Sequence, residues 1–103
     1  MVFQHEDLKI YVKDEQDKVI ALVTWQLKGE VAVVDHTFVD ESLRGQGVAS
    51  KLMKEAVNHF REKGYKTYGI CSYADVWYKK NQANLLDVLV ERPQEESVSC
   101  KIF

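Results

Sequence analysis

Leu43-Arg44-Gly45-Gln46-Gly47-Val48-Ala49-Ser50-Lys51-Leu52 joins a β-like run, Val31 to Val39, to a stretch of helix-forming sequence, with two glycines at the junction. Where a chain passes from strand to helix, the first backbone N–H groups of the helix have no intrahelical acceptor. The aligned peptide dipoles also concentrate partial positive charge there. Such a site suits phosphate. Gly45 and Gly47 keep side chains away from backbone that a diphosphate would have to approach, and glycine accepts the positive φ that such turns use. The same two glycines would equally serve a tight turn with no ligand, so on their own they leave both readings open.

Upstream, Leu8, Ile10 and Val12 alternate with Lys9, Tyr11 and Lys13, which predicts a strand whose apolar face is made by the first three. The residues before it read as a ragged N-terminus. Asp14 to Lys18 is turn-prone and charged, and Val19 to Leu27 resumes the pattern as a second strand of a hairpin. Lys28-Gly29-Glu30 turns the chain again into Val31 to Val39, a run rich in β-branched residues that predicts a well-buried third strand.

Downstream of the glycines, Val48, Leu52, Met53, Ala56, Val57 and Phe60 recur at helical spacing and give one long helix with a single apolar stripe. Gly64 stands where a left-handed C-terminal cap belongs, after Arg61 and Lys63 in the last turn. Tyr65 to Cys71 reads as a strand, so strand, helix and strand form a crossover with parallel pairing. Asp75 to Lys80 reads as helix, Leu85 to Val90 as a further helical turn or two, and the chain from about residue 91 as a polar tail or late strand. The fold class is therefore α/β: an antiparallel meander, a parallel crossover strand, a long central helix and a C-terminal helix.

The 103 residues predict one domain. Fourteen basic and sixteen acidic residues leave a formal charge of −2, and there is no basic stripe for nucleic acid. No apolar run approaches the length of a membrane span, and residues 1–9 lack the pattern of a leader, which points to a soluble, cytoplasmic protein. In a reducing compartment Cys71 and Cys100 are expected as free thiols. The two cysteines and three histidines show no paired spacing for a metal.

With Arg44, two residues, Gly47, one residue and Ala49 lying between that strand and that helix, the sequence resembles the GNAT superfamily of acetyl-CoA-dependent N-acetyltransferases. Asp35-His36-Thr37 and Cys71-Ser72-Tyr73 are similar to a small single-domain subgroup of it. The resemblance implies a minimal GNAT-like fold and acetyl-CoA or coenzyme A as cosubstrate, with no metal. It implies that Arg44, Gly45, Gln46, Gly47, Val48 and Ala49 hold the diphosphate, and that Thr37, Phe38 and Val39 pair with the pantetheine arm. Larger members carry helices between the first two strands where this chain has a short turn, which implies an open acceptor side.

Acetyl transfer from a thioester to an amine needs a base for the amine proton and a donor for the developing oxyanion. His36 is the histidine within a predicted core strand, and imidazole titrates in the range a base at neutral pH requires. Strand alternation groups it with Ala32, Val34 and Phe38, where it would equally serve as a structural residue. Cys71, at a strand end just before a helix, is placed where a thiol can be exposed and partly activated, or simply buried as a small apolar group. Tyr73 and Tyr78 lie where the family places a general acid, without a clean match to its helix motif. Trp77 and Tyr78 read as packing against the sheet. Two functions follow: transfer of acetyl to a primary amine of a small molecule or exposed peptide, or non-catalytic binding of coenzyme A or acyl-CoA alongside a protein partner.

Overall fold

The computed structural model describes residues 2–43 and 45–93. Arg44, Cys100 and the tail beyond residue 93 lie outside the described residues. The described chain forms a five-stranded sheet in sequential order: β1 (Gln4–Glu6), β2 (Lys9–Lys13), β3 (Val19–Lys28), β4 (Val31–Val39) and β5 (Lys66–Gly69). Neighbours through β4 are antiparallel, and β4–β5 is parallel. Helix α1 (Val48–Lys63) crosses from β4 to β5, and α2 (Ser72–Lys80) follows β5. This is the mixed α/β architecture expected from the sequence.

One face of the sheet carries the core. Ile10, Val12, Ala21, Val23, Trp25, Ala32, Val34 and Val39 pack on the α1 stripe of Val48, Leu52, Met53, Ala56, Val57 and Phe60. Trp25 meets Phe60 edge to face with ring centroids 5.0 Å apart. The helix ends at Gly64, beyond which the Tyr65 N–H bonds the Phe60 carbonyl at 2.9 Å. Helix α2 lies on the same face, where the Trp77 Nε1–H donates to Ser50 Oγ of α1 at 3.0 Å. Trp77 and Tyr78 are buried, as their spacing suggested.

Four readings of the sequence are corrected outside β4, and a fifth within it. The N-terminus is not ragged: Gln4–Glu6 pairs with β2 as an edge strand. Leu8 does not face the core but sits in the tight turn before Lys9, with φ of 63° and 42% exposure, while Tyr11 on the opposite face is buried. The strand Tyr65 to Cys71 is shorter, because β5 stops at Gly69 and α2 begins at Ser72. Leu85 to Val90 makes one turn and no helix: Val88 N–H and Leu89 N–H both bond Leu85 O, at 3.0 and 2.8 Å, and the chain then satisfies the backbone of β5, with Thr67 N–H bonding Val88 O and Val90 N–H bonding Thr67 O around a single bridge from Thr67 to Leu89.

A β-bulge in β4 matters most for the site. The β3–β4 register passes from Thr24↔His36 to Trp25↔Val34, so Asp35 is the extra residue. Beyond the bulge the alternation changes parity, and Thr37 and Val39 join Ala32 and Val34 on the helix face. His36 and Phe38 therefore do not share a face with Ala32 and Val34, contrary to simple alternation.

Candidate active site

The two halves of β4 have different neighbours. Val31 to Val34 pair with β3 on one side and with β5 on the other. At Val34 the partner leaves: its carbonyl accepts from both Ile70 N–H (2.9 Å) and Cys71 N–H (3.3 Å), and β5 gives way to α2. From Asp35 to Val39, β4 keeps β3 but has no strand on its other side among the described residues. A parallel pair that parts in this way opens a crevice at the carboxyl ends of its strands, lined by backbone polar groups.

The glycine turn lies at the end of that crevice. A 3₁₀ turn at Glu41–Leu43 ends β4, and Gly45 and Gly47 follow with φ of 84° and 70°. Gly47 caps α1 with no side chain, and the space over both glycines is open. Lys51 N–H bonds Gly47 O at 3.1 Å, so Val48, Ala49 and Ser50 form the first turn, with N–H groups directed out of the helix start. No acidic side chain occupies that turn. A cavity of about 450 Å³ is lined by Val39, Leu43, Gly45, Gly47, Val48, Ala49, Ser50 and Tyr73. A further cavity of about 500 Å³, between Asp75, Tyr78, Leu86 and Arg92, carries neither the glycine turn nor His36 or Cys71.

A family model described as GCN5-related N-acetyl-transferase matches residues 9–88. The chain belongs to the GCN5-related N-acetyltransferases. A GCN5-like candidate N-acetyltransferase from Staphylococcus aureus, solved by NMR, is similar at 30% identity and a TM-score of 0.73, over 90% of this chain and 91% of that one. An acetyltransferase from Bacillus cereus is 26% identical, with a TM-score of 0.60 over 76% of this chain and 63% of its own. A GNAT-family acetyltransferase from Staphylococcus aureus, 15% identical with a TM-score of 0.58, shares the fold. No curated protein sequence matches. Members of this family transfer acetyl groups and generally use acetyl-CoA, and among the described residues no helix is long and apolar enough to cross a membrane.

Within this GNAT chain the residues singled out from the sequence fall into two groups. Val39, Gly45, Gly47, Val48 and Ala49 meet around one cavity, and Gln46 stands in the same turn with its side-chain amide donating to Ser42 O at 3.3 Å. Thr37 and Cys71 also meet, below that surface: both are buried, and Thr37 Oγ1 lies 3.3 Å from Cys71 Sγ. Cys71 has no exposure, so of the two roles left open by the sequence it takes the buried one. Its strand end is buried because α2 folds straight back over it. Gly69 makes that possible, since a Cβ there would come within 2.8 Å of Ala74 Cβ. His36 and Phe38, half-buried, lie on the sheet's other face.

The structure also separates the two tyrosines. Tyr78 is buried and its hydroxyl lies 2.7 Å from Thr67 Oγ1; burial pushes its pKa far up. Tyr73 is half-buried and lines the cavity beside the glycines. Burial raises its pKa also, so it holds its proton at neutral pH. Asp35, passed over in the sequence, stands at the parting of β4 and β5. Its Oδ1 accepts from Thr24 Oγ1 at 2.5 Å and its Oδ2 from Gln26 Nε2 at 3.0 Å. The pair Asp35-His36 was visible in the sequence, but the bulge that sets both side chains on one face was not.

Proposed function

We propose that this protein transfers the acetyl group of acetyl-CoA to a primary amine carried by a small molecule or an exposed peptide. The observation that carries this reading is the cavity at the open end of β4, where two left-handed glycines and the first turn of α1 expose backbone N–H groups with no side chain above them. That surface fits a diphosphate. Gly45 to Ala49 would hold it, with Arg44 beside them in sequence. The backbone of Thr37 to Val39, without a second strand partner, would pair with the amide-bearing arm of the same substrate.

The cosubstrate supplies an activated thioester carbonyl. The chain supplies position and proton handling. His36 takes the proton the amine releases as its nitrogen bonds to the carbonyl carbon and the C–S bond breaks. Tyr73 holds a proton beside the cavity for the sulfur that leaves. Cys71, buried against Thr37, supports the strand end and is not acetylated, so transfer is direct. Two measurements test this. Coenzyme A and acetyl-CoA at millimolar concentration should raise the melting temperature, and free thiol should appear above background when amines are added with acetyl-CoA. A shift without thiol release from any amine would replace catalysis by binding of coenzyme A alongside a protein partner. Absence of both would refute the assignment.

A further inference from the structure

Asp35 carries a charge that the fold does not use. The bulge sets Asp35 and His36, neighbours in sequence, on the same face of the sheet, at the first positions past the last β4–β5 pair. The half-buried carboxylate accepts one bond from a hydroxyl and one from a side-chain amide. Both donors are neutral, and among the described residues Asp35 forms no ion pair. Of the other aspartates, Asp17, Asp40, Asp75 and Asp87 face a lysine or arginine within 4 Å, Asp14 accepts the backbone N–H groups of Gln16 and Lys18, and Asp7 is exposed in a turn. Pinning the bulge to Thr24 and Gln26 needs acceptor atoms, which a neutral amide would largely supply. It does not need a negative charge.

Resting on the acetyl-transfer reading, we propose that Asp35 determines acceptor specificity: it binds a second cationic group of the acceptor while the reacting amine meets His36, so the substrates are di- and polyamines. The placement favours this division of labour. A carboxylate holding the reacting nitrogen itself would stabilise its ammonium form and oppose the deprotonation that attack requires. Held at the other end of the acceptor, the carboxylate binds the far ammonium and leaves the reacting nitrogen to His36. An acceptor with one amine gains nothing from it.

The test compares diaminobutane with butylamine, which match in chain length and differ in the second amine. Each is titrated calorimetrically into the protein, ligand-free and loaded with coenzyme A, and each is assayed for thiol release with acetyl-CoA. The expected result is tighter binding and a lower KM for the diamine by up to about fivefold, with similar kcat. This preference should shrink as salt rises. In Asp35→Asn the two amines should become equivalent, with coenzyme A binding unchanged. Asp35→Glu, which keeps the charge, should restore part of the preference and serves as the informative variant if Asp35→Asn does not fold. Equal use of the two amines by the wild-type protein, or a preference that survives Asp35→Asn, would overturn the proposal. If no amine yields thiol but diamine binding persists and depends on Asp35, the cation site stands and the transfer reading falls.

Discussion

The two halves of β4 belong to one strand and do different work. Ala32, Val33 and Val34 are at most 1% exposed and hydrogen-bonded to strands on both sides. Asp35 to Val39 continue the same strand with one partner fewer, and there the chain carries a carboxylate, an imidazole, a hydroxyl bonded to a thiol and the glycine turn. A doubly paired strand has its backbone polar groups satisfied and can only contribute stability. A singly paired one keeps hydrogen-bonding capacity for something that is not protein. The bulge marks the change from one to the other.

If that division is real, substitutions in the open half should remove activity and spare the fold, and those in the closed half the reverse. The sharpest case is His36→Ala, expected to lower turnover by about a hundred- to ten-thousand-fold, with melting and coenzyme A binding nearly unchanged. A tenfold effect or less would show that water, not His36, takes the proton. Next is Gly47→Val. At φ of 70° a valine is strained, and its branches would stand where the backbone is bare. Coenzyme A at a hundred times its dissociation constant should add about 2.7 kcal/mol of stability, on the order of 10 °C or more in melting temperature for a chain of this size. Gly47→Val should abolish that shift in a protein that still folds.

Val34→Ala probes the closed half. Removing two buried methyl groups costs about 2 kcal/mol, seen as a lower denaturation midpoint, while turnover per folded molecule stays close to wild type. Cys71→Ala lies at the boundary. Loss of its contact with Thr37 should cost about 1 kcal/mol, with little change in turnover. In intact-mass spectrometry of the wild type, a stoichiometric acetyl adduct on Cys71 that an added amine discharges would replace direct transfer with a covalent route.

The smallest effect lies far from the turn. His59 has its pKa lowered by burial first, beside Trp25 and Phe60, and then by His5 and Lys63, against the opposing pull of Glu62 and Glu55. The unfolded chain therefore takes up this proton first as pH falls. His59's contribution should be complete above its ordinary pKa near 6.5 and decline as pH drops below it. Melting curves from pH 7.5 to about 5 should show the decline, and His59→Gln should flatten it without altering turnover at neutral pH.

Much of this was legible along the chain. Val31 to Val39 and the helix from Val48 to its Gly64 cap follow from local pattern, and Arg44 to Ala49 could be read as a phosphate turn, because side-chain periodicity, glycine and capping act within a few residues. The chemistry around them was not. Alternation set His36 with Ala32 and Val34 because nothing in the sequence marks the extra residue, and the bulge at Asp35 exists only in the register with β3. Whether Cys71 is exposed or buried was open in the sequence because its burial depends on α2 folding back over Gly69. Tyr78 was read as core packing as well as a candidate acid, and only the placement of α2 turns Tyr73 to the cavity and bonds Tyr78 to Thr67. The sequence by itself determined the order of elements from β2 to α2 and the glycine turn, since local backbone preference and hydrophobic period suffice for both. Which side chains share a face, which are buried and where β4 loses its second partner were decided by tertiary structure, because each depends on pairing between segments far apart in the chain.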